Sequence, residues 1–172
     1  MPPTPLALIR LDPALVRERM GEILALDRAA FPGEPTWGPE NFLAELPGKW
    51  ALSFLAQEPS ELVGFSISST PPERTAHLHR IAVATDRRGS GIGRRLIEET
   101  LAALAPLPID RYTLEVPDAQ RASGFYDALG FRRIVRADEI EDYLARRGKT
   151  AKRDAYLGPR ADRRIYVREL AR

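Results

Sequence analysis

Six residues near the middle of the chain constrain it most. Arg88-Gly89-Ser90-Gly91-Ile92-Gly93 stands between the apolar run Ile81-Ala82-Val83 and a stretch in which Ile92, Leu96, Ile97, Leu101 and Leu104 recur. That spacing predicts a helix from about Gly91 to Ala105 with one buried face, ended by Pro106 and Pro108. The run before it reads as the end of a strand, His77 to Val83. A strand, a glycine loop and a helix in this order bring unpaired amides and the positive end of a helix dipole to one spot. Glycines there let a ligand approach the backbone with no Cβ in the way. Arg87, Arg88, Arg94 and Arg95 add positive charge. The combination suits a diphosphate. A glycine pair alone is weak, because a tight turn uses glycine too. A Walker loop ends in Gly-Lys-Ser/Thr, whereas Arg94 follows Gly93 here. A dinucleotide fold places its loop after the first strand of a parallel alternation, and this loop follows the fourth.

The other elements read as follows. Leu6 to Arg10 is a first strand, and Asp12-Pro13 opens a helix running to about Ala30. A short helix spans Pro39 to Leu46. Trp50 to Gln57 and Leu62 to Ser68 are strands separated by Glu58-Pro59-Ser60-Glu61. After the glycine loop and its helix come a strand at Arg111 to Val116, a helix at Ala119 to Leu129 and a strand at Phe131 to Val135. A helix at Asp138 to Arg147, a loop at Lys149 to Asp162 and a strand at Arg163 to Leu170 complete the chain. The expected class is α+β in an α/β/α arrangement: one mixed, mainly antiparallel sheet of six to seven strands flanked by helices. The 172 residues suit a single domain, 1–172.

The chain has no cysteine, which excludes disulfides, thiolate catalysis and thiolate metal sites. Its start, Met1-Pro2-Pro3-Thr4-Pro5, does not read as a secretory signal, and no apolar stretch has the length of a membrane helix. A cytoplasmic location and no membrane partner are expected. Residues 1–131 carry 13 Lys and Arg against 17 Asp and Glu, while residues 132–172 carry 13 against 7. The basic tail is either a solvated face or a surface that holds an anionic cofactor or substrate. It shows no recognisable nucleic-acid module, so nucleic acid is not expected as a partner.

The loop resembles the coenzyme-binding motif of the GNAT family of N-acetyltransferases, Gln/Arg-x-x-Gly-x-Gly/Ala, met here by Arg88, Gly91 and Gly93. Phe125-Tyr126-Asp127-Ala128-Leu129-Gly130-Phe131 is similar to a later Tyr-x-x-x-Gly-Phe motif of that family. Thr113-Leu114-Glu115-Val116, Phe31-Pro32 through Trp37, and Asn41-Phe42-Leu43 resemble segments of ribosomal-protein N-terminal acetyltransferases. The resemblance covers roughly residues 6–135, and the basic segment 136–162 has no counterpart in it. It implies acetyl-CoA as co-substrate. No metal is expected, because no third ligand stands near His77 and His79 in the sequence. Arg87, Arg88, Gly89, Ser90, Gly91, Ile92, Gly93 and Arg94 would hold the pyrophosphate, and Ile81, Ala82 and Val83 the pantetheine arm, with a contribution from Gln120.

The implied reaction is acetyl transfer to a primary amine by direct attack on the thioester. The acceptor is a protein N-terminus, a peptide or a small amine, and a homodimer stands among the partners considered. Tyr126 is the candidate acid for the leaving thiolate. Two candidates for the base remain open. Glu115 falls where the N-terminal acetyltransferases carry a catalytic Glu, although Pro117-Asp118-Ala119-Gln120 replaces the Arg and Asn that follow there. His77 and His79 are the only histidines and share a strand face. Their strand resembles that of arylalkylamine N-acetyltransferases, where a His pair relays protons, and histidine titrates near neutrality. Phe31, Trp37, Phe42 and Trp50 are candidate linings for the acceptor. A non-catalytic acyl-CoA-binding or sensing domain of the same fold is the alternative.

Overall fold

The computed structural model describes residues 5–117 and 123–171. The strands are β1 (Ala7–Arg10), β2 (Phe54–Glu58), β3 (Glu61–Ser69), β4 (Thr75–Val83), β5 (Arg111–Pro117), β6 (Arg132–Ile134) and β7 (Arg163–Glu169). The helices are α1 (Pro13–Glu18), α2 (Met20–Ala30), α3 (Pro39–Leu43), α4 (Lys49–Leu52), α5 (Ile92–Leu104), α6 (Ser123–Ala128) and α7 (Ala137–Arg146). All seven strands form one sheet in the order β1-β2-β3-β4-β5-β7-β6. Four neighbouring pairs are antiparallel, β1/β2, β2/β3, β5/β7 and β6/β7. β4 and β5 run parallel, from Thr75↔Arg111 to Leu78↔Leu114. The mixed sheet expected from the sequence is therefore present with seven strands.

Three local expectations are corrected. The first helix is not continuous to Ala30. It starts as expected, with the Asp12 side chain accepting from Leu15 N at 2.7 Å and Pro13 in the first turn. Arg19 then leaves helical geometry, with φ −100° and ψ 12°, and divides α1 from α2. Its guanidinium is drawn to Glu22 at 2.6 Å and to Gln57 at 2.8 Å. A one-residue break barely shifts the apolar stripe, so periodicity does not register it. The second correction is that Trp50 lies in helix α4, not in a strand. Gly48, at φ 69°, turns the chain into α4, and β2 begins only at Phe54. Lys49 drives this turn. It is fully buried, and its Nζ donates to the carbonyls of Phe42 at 2.7 Å and Ala44 at 2.6 Å. Those carbonyls close the end of α3, which stops at Leu43 and not at Leu46. Third, the stretch expected to be pure loop contains a 3₁₀ turn, Thr150–Ala155.

The described residues group into two compact units. One comprises the described part of Met1–Ser69 with His79–Leu107, and the other Thr70–Leu78 with the described part of Pro108–Arg172. In the first unit the alternation along β2 sorts the core. Leu55 packs with Val16, Ile23, Phe42 and Phe65, against α1 to α3. Phe54 and Ala56 pack with Ile92 and Leu96 of α5. In the second unit β7 divides in the same way. Ile165 and Val167 meet Ile140, Tyr143 and Leu144 of α7. Tyr166 points to the other face, against the Tyr126 ring at 5.5 Å.

Candidate active site

After β4 the chain makes a 3₁₀ turn, Thr85–Arg87, and reaches α5 through Gly89 at φ 78° and Gly91 at φ 87°. Those angles strain any residue with a Cβ. A Cβ on Gly91 would meet nothing within 4 Å, so the backbone, not the space, demands glycine there. No side chain caps α5. The Ser90 hydroxyl donates back to the Arg87 carbonyl instead. The opening amides of the helix therefore have neither an intrahelical acceptor nor a cap. Gly64 of β3 lets α5 lie close to the sheet, since a Cβ there would stand 3.2 Å from Ile92 Cγ2 and 3.3 Å from Leu96 Cδ1.

The arginines around this loop divide in a way the sequence does not show. Arg87 forms ion pairs with Asp86 at 2.6 Å, Glu61 at 2.8 Å and Glu58 at 3.1 Å. Its hydrogen bond to Glu58, with the charges of Asp86 and Glu58, raises its pKa. Arg87 thus braces the loop to the turn between β2 and β3. Arg94 pairs with Glu98 at 2.8 Å, one helical turn on. Arg88 donates to the Ala30 carbonyl at 3.2 Å, and among the described residues it makes no ion pair. Upstream on β4, Ala82 is buried, while Ile81 and Val83 are half-buried. Gln120 lies outside the described residues.

Of the four candidates for proton transfer, Tyr126 and Glu115 lie on opposite faces of β5. Tyr126 is held by ring contacts with Phe131 and Tyr166. Burial, and then the neighbouring Tyr166, push its pKa up to about 12. Glu115 is two residues from Thr113 on β5 and is registered opposite Ile165. It therefore faces α7, whereas Leu114, opposite Tyr166, faces the side of Tyr126. The Glu115 carboxylate is fully engaged. Tyr143 Oη donates to Oε1 at 2.7 Å, Lys149 Nζ to Oε1 at 2.8 Å and Tyr156 Oη to Oε2 at 2.8 Å. Burial pushes its pKa up, but these donors and the Lys149 charge outweigh burial and leave it lowered. Burial and the Glu115 charge raise the pKa of both tyrosines.

His77 is buried, and its Nδ1 lies 2.9 Å from Thr113 Oγ1. Thr113 Oγ1 also lies 3.2 Å from the Ala76 carbonyl, which accepts its hydroxyl proton when His77 Nδ1 is the donor. His79 is half-buried, with Nε2 2.7 Å from Ser69 Oγ. Among the described residues no three of His, Asp and Glu gather as a metal site. No described helix is long and apolar enough to cross a membrane.

Two further features escape the sequence reading. Asp27, fully buried in α2, binds Arg80 of β4 through two hydrogen bonds of 2.7 and 2.9 Å. The Arg80 guanidinium stacks 3.8 Å from the Phe31 ring centroid and lies 5.4 Å from that of Trp37, whose amide is 3.5 Å from Asp27 Oδ2. One carboxylate thus fixes the loop after α2. The available signal was an aspartate within an apolar helical stripe, next to Leu26. Phe42 is the opposite case. It is fully buried in the core of its unit, the commoner place for such an aromatic residue.

Residues 20–131 match the family model described as "Acetyltransferase (GNAT) family". The chain belongs to the GNAT acetyltransferase family. It is 34% identical over 119 residues to a mycothiol acetyltransferase of Kineococcus radiotolerans, a match that covers 65% of this chain but 39% of that protein. The chain thus spans well under half the length of that curated relative. Its fold is similar to that of a ribosomal-protein-alanine N-acetyltransferase from Escherichia coli, with a TM-score of 0.70 and 18% identity over 98% of this chain and 96% of the other. It is also similar to Naa50 of Arabidopsis thaliana in complex with a bisubstrate analogue containing CoA. That match has a TM-score of 0.68 and 16% identity over 96% and 99% of the two chains.

Proposed function

We propose that this chain moves the acetyl group of acetyl-CoA to a primary amine. The observation that carries the reading is the uncapped start of α5, behind two positive-φ glycines, in a chain of the GNAT acetyltransferase family. Its free amides take the pyrophosphate of the coenzyme. Arg88 adds charge that no carboxylate already claims among the described residues. Ile81, Ala82 and Val83 take the pantetheine arm.

The amine nitrogen attacks the thioester carbon, the C–S bond breaks, and the ammonium proton goes to a base. Tyr126 serves the leaving sulfur. With its pKa at about 12, its hydroxyl stays protonated at neutral pH. It acts by donating a hydrogen bond to the charge developing on sulfur more than by giving up its proton. The base belongs to the β4 histidines, with His79 the more exposed of the two. Glu115, already engaged by three donors and with its pKa lowered, has little affinity for a proton at neutral pH.

Acceptors of either kind fit this reading, a protein or peptide amine or a small-molecule amine. The test is release of coenzyme thiol from acetyl-CoA against a panel of amines. Tight coenzyme binding with no thiol released for any amine would favour the non-catalytic sensor instead.

A further inference from the structure

The surroundings of Glu115 hold more positive charge than Glu115 balances. Lys149 Nζ reaches Oε1 at 2.8 Å. Arg163 lies 3.9 Å from Oε2, near enough for attraction but too far for a hydrogen bond. Arg147 follows Tyr143 by four residues, on the same side of the helix, and its amide donates to the Tyr143 carbonyl. Its Nε is buried without a hydrogen-bond partner, and it makes no ion pair among the described residues. The charges of Arg163 and Arg147 both bear on the Tyr156 hydroxyl.

The carboxylates of α7 offer no relief. Asp138 pairs with Arg136, Glu139 with Arg132, Glu141 with Arg153, and Asp142 with Arg146. Lys149 and Arg163 therefore share the single carboxylate Glu115, and the Arg147 charge bears on the two tyrosine hydroxyls that donate to it. A buried guanidinium N–H without an acceptor is costly, and an anion relieves it. The place is open to solvent, since the Lys149 and Arg163 side chains are 27% and 45% exposed.

We propose that Arg147, Lys149 and Arg163 form an anion-binding site for a carboxylate or phosphate group on the acceptor, so that the preferred acceptors are amines carrying a second, negatively charged group. The substrate part of this proposal rests on the amine-acetylation reading, and the binding part does not.

Two measurements on the full chain test it. In the first, inorganic phosphate and succinate are titrated at constant ionic strength while thermal unfolding is followed. A saturable rise in Tm that disappears in Arg147→Gln and in Arg163→Gln supports the site; a rise unchanged by both substitutions, or no saturable rise, overturns it. Arg163 is the more exposed, so that variant keeps the test valid if Arg147→Gln fails to fold. The second compares matched amines, ethanolamine with phosphoethanolamine and tyramine with tyrosine. The anionic member is expected to show a KM about tenfold lower, as suits one charge-assisted contact, and Arg163→Gln to remove the difference while the KM for acetyl-CoA stays put. Equal KM values in the unsubstituted protein, or a rise confined to the KM for acetyl-CoA, overturn the acceptor assignment. If no amine turns over at all, the acetyl-transfer reading fails and the phosphate and succinate titration still decides the site.

Discussion

The start of α5 and the surroundings of Glu115 are both charged and both built around a turn, yet they are opposites. At α5 the backbone offers donors that no cap, and no helical acceptor, has claimed. At Glu115 the acceptor is the scarce group, and two tyrosines and a lysine already share it. The difference teaches how to read a polar group in a fold. Donors left unspent at an exposed helix start point to a ligand. A carboxylate whose oxygens are both taken points to architecture, even where a family pattern assigns it chemistry.

The sharpest way to break the comparison is to spoil the free donors. Gly91→Asp forces a side chain onto a φ of 87° and sets a carboxylate against the diphosphate. Calorimetry should show coenzyme A affinity falling by on the order of 1,000-fold, about 4 kcal/mol. Retained affinity would refute the loop assignment.

Next comes Glu115→Ala, which leaves Lys149 and two tyrosine hydroxyls without their acceptor. Denaturant unfolding should show a loss of about 3 kcal/mol, as for one partner removed from a buried pair. The pH dependence carries a sign. A carboxylate with a lowered pKa contributes stability above its unfolded value, and this is lost as pH falls through the folded value. The stability of the unsubstituted protein should therefore fall as pH drops through and below the ordinary carboxylate range, and Glu115→Gln should flatten that decline. A normal fold together with a collapsed kcat in Glu115→Gln would return Glu115 to the role of base.

Tyr126→Phe should lower kcat by about 100-fold, about 2.7 kcal/mol, with the coenzyme Kd unchanged. Because the hydroxyl stays protonated up to about 12, its ionisation should put no limb in the pH–rate profile near neutrality. The smallest effect is expected for His79→Gln, about tenfold in kcat with the coenzyme Kd unchanged. An unaltered kcat would remove His79 from the proton path.

The strands and the α5 loop were legible in the sequence because each rests on a local signal: alternation, glycine at a forced φ, apolar spacing. The break at Arg19 and helix α4 were not. Both depend on partners distant in sequence or on a buried charge, Gln57 for Arg19 and the α3 carbonyls for Lys49. The candidate site divides in the same way. Gly89 and Gly91 could be read directly, since their role lies in their own backbone. The engagement of Arg87 by Glu58 and Glu61, and of Glu115 by Tyr143, Lys149 and Tyr156, joins residues 26 to 41 positions apart. No window along the chain contains both ends of such contacts.

The buried Lys49 has a chemical consequence. The lysines of this chain are Lys49, Lys149 and Lys152. Lys49 is sealed from solvent, with its ammonium spent on two carbonyls, and Lys149 is tied to Glu115. Only Lys152 stands exposed, on the 3₁₀ turn after α7. A GNAT-family chain that carries its positive charge almost wholly as guanidinium offers an amine-directed reagent few targets. An amine-reactive label should find one ready lysine, and so mark the turn beside the proposed anion site while sparing the rest of the fold.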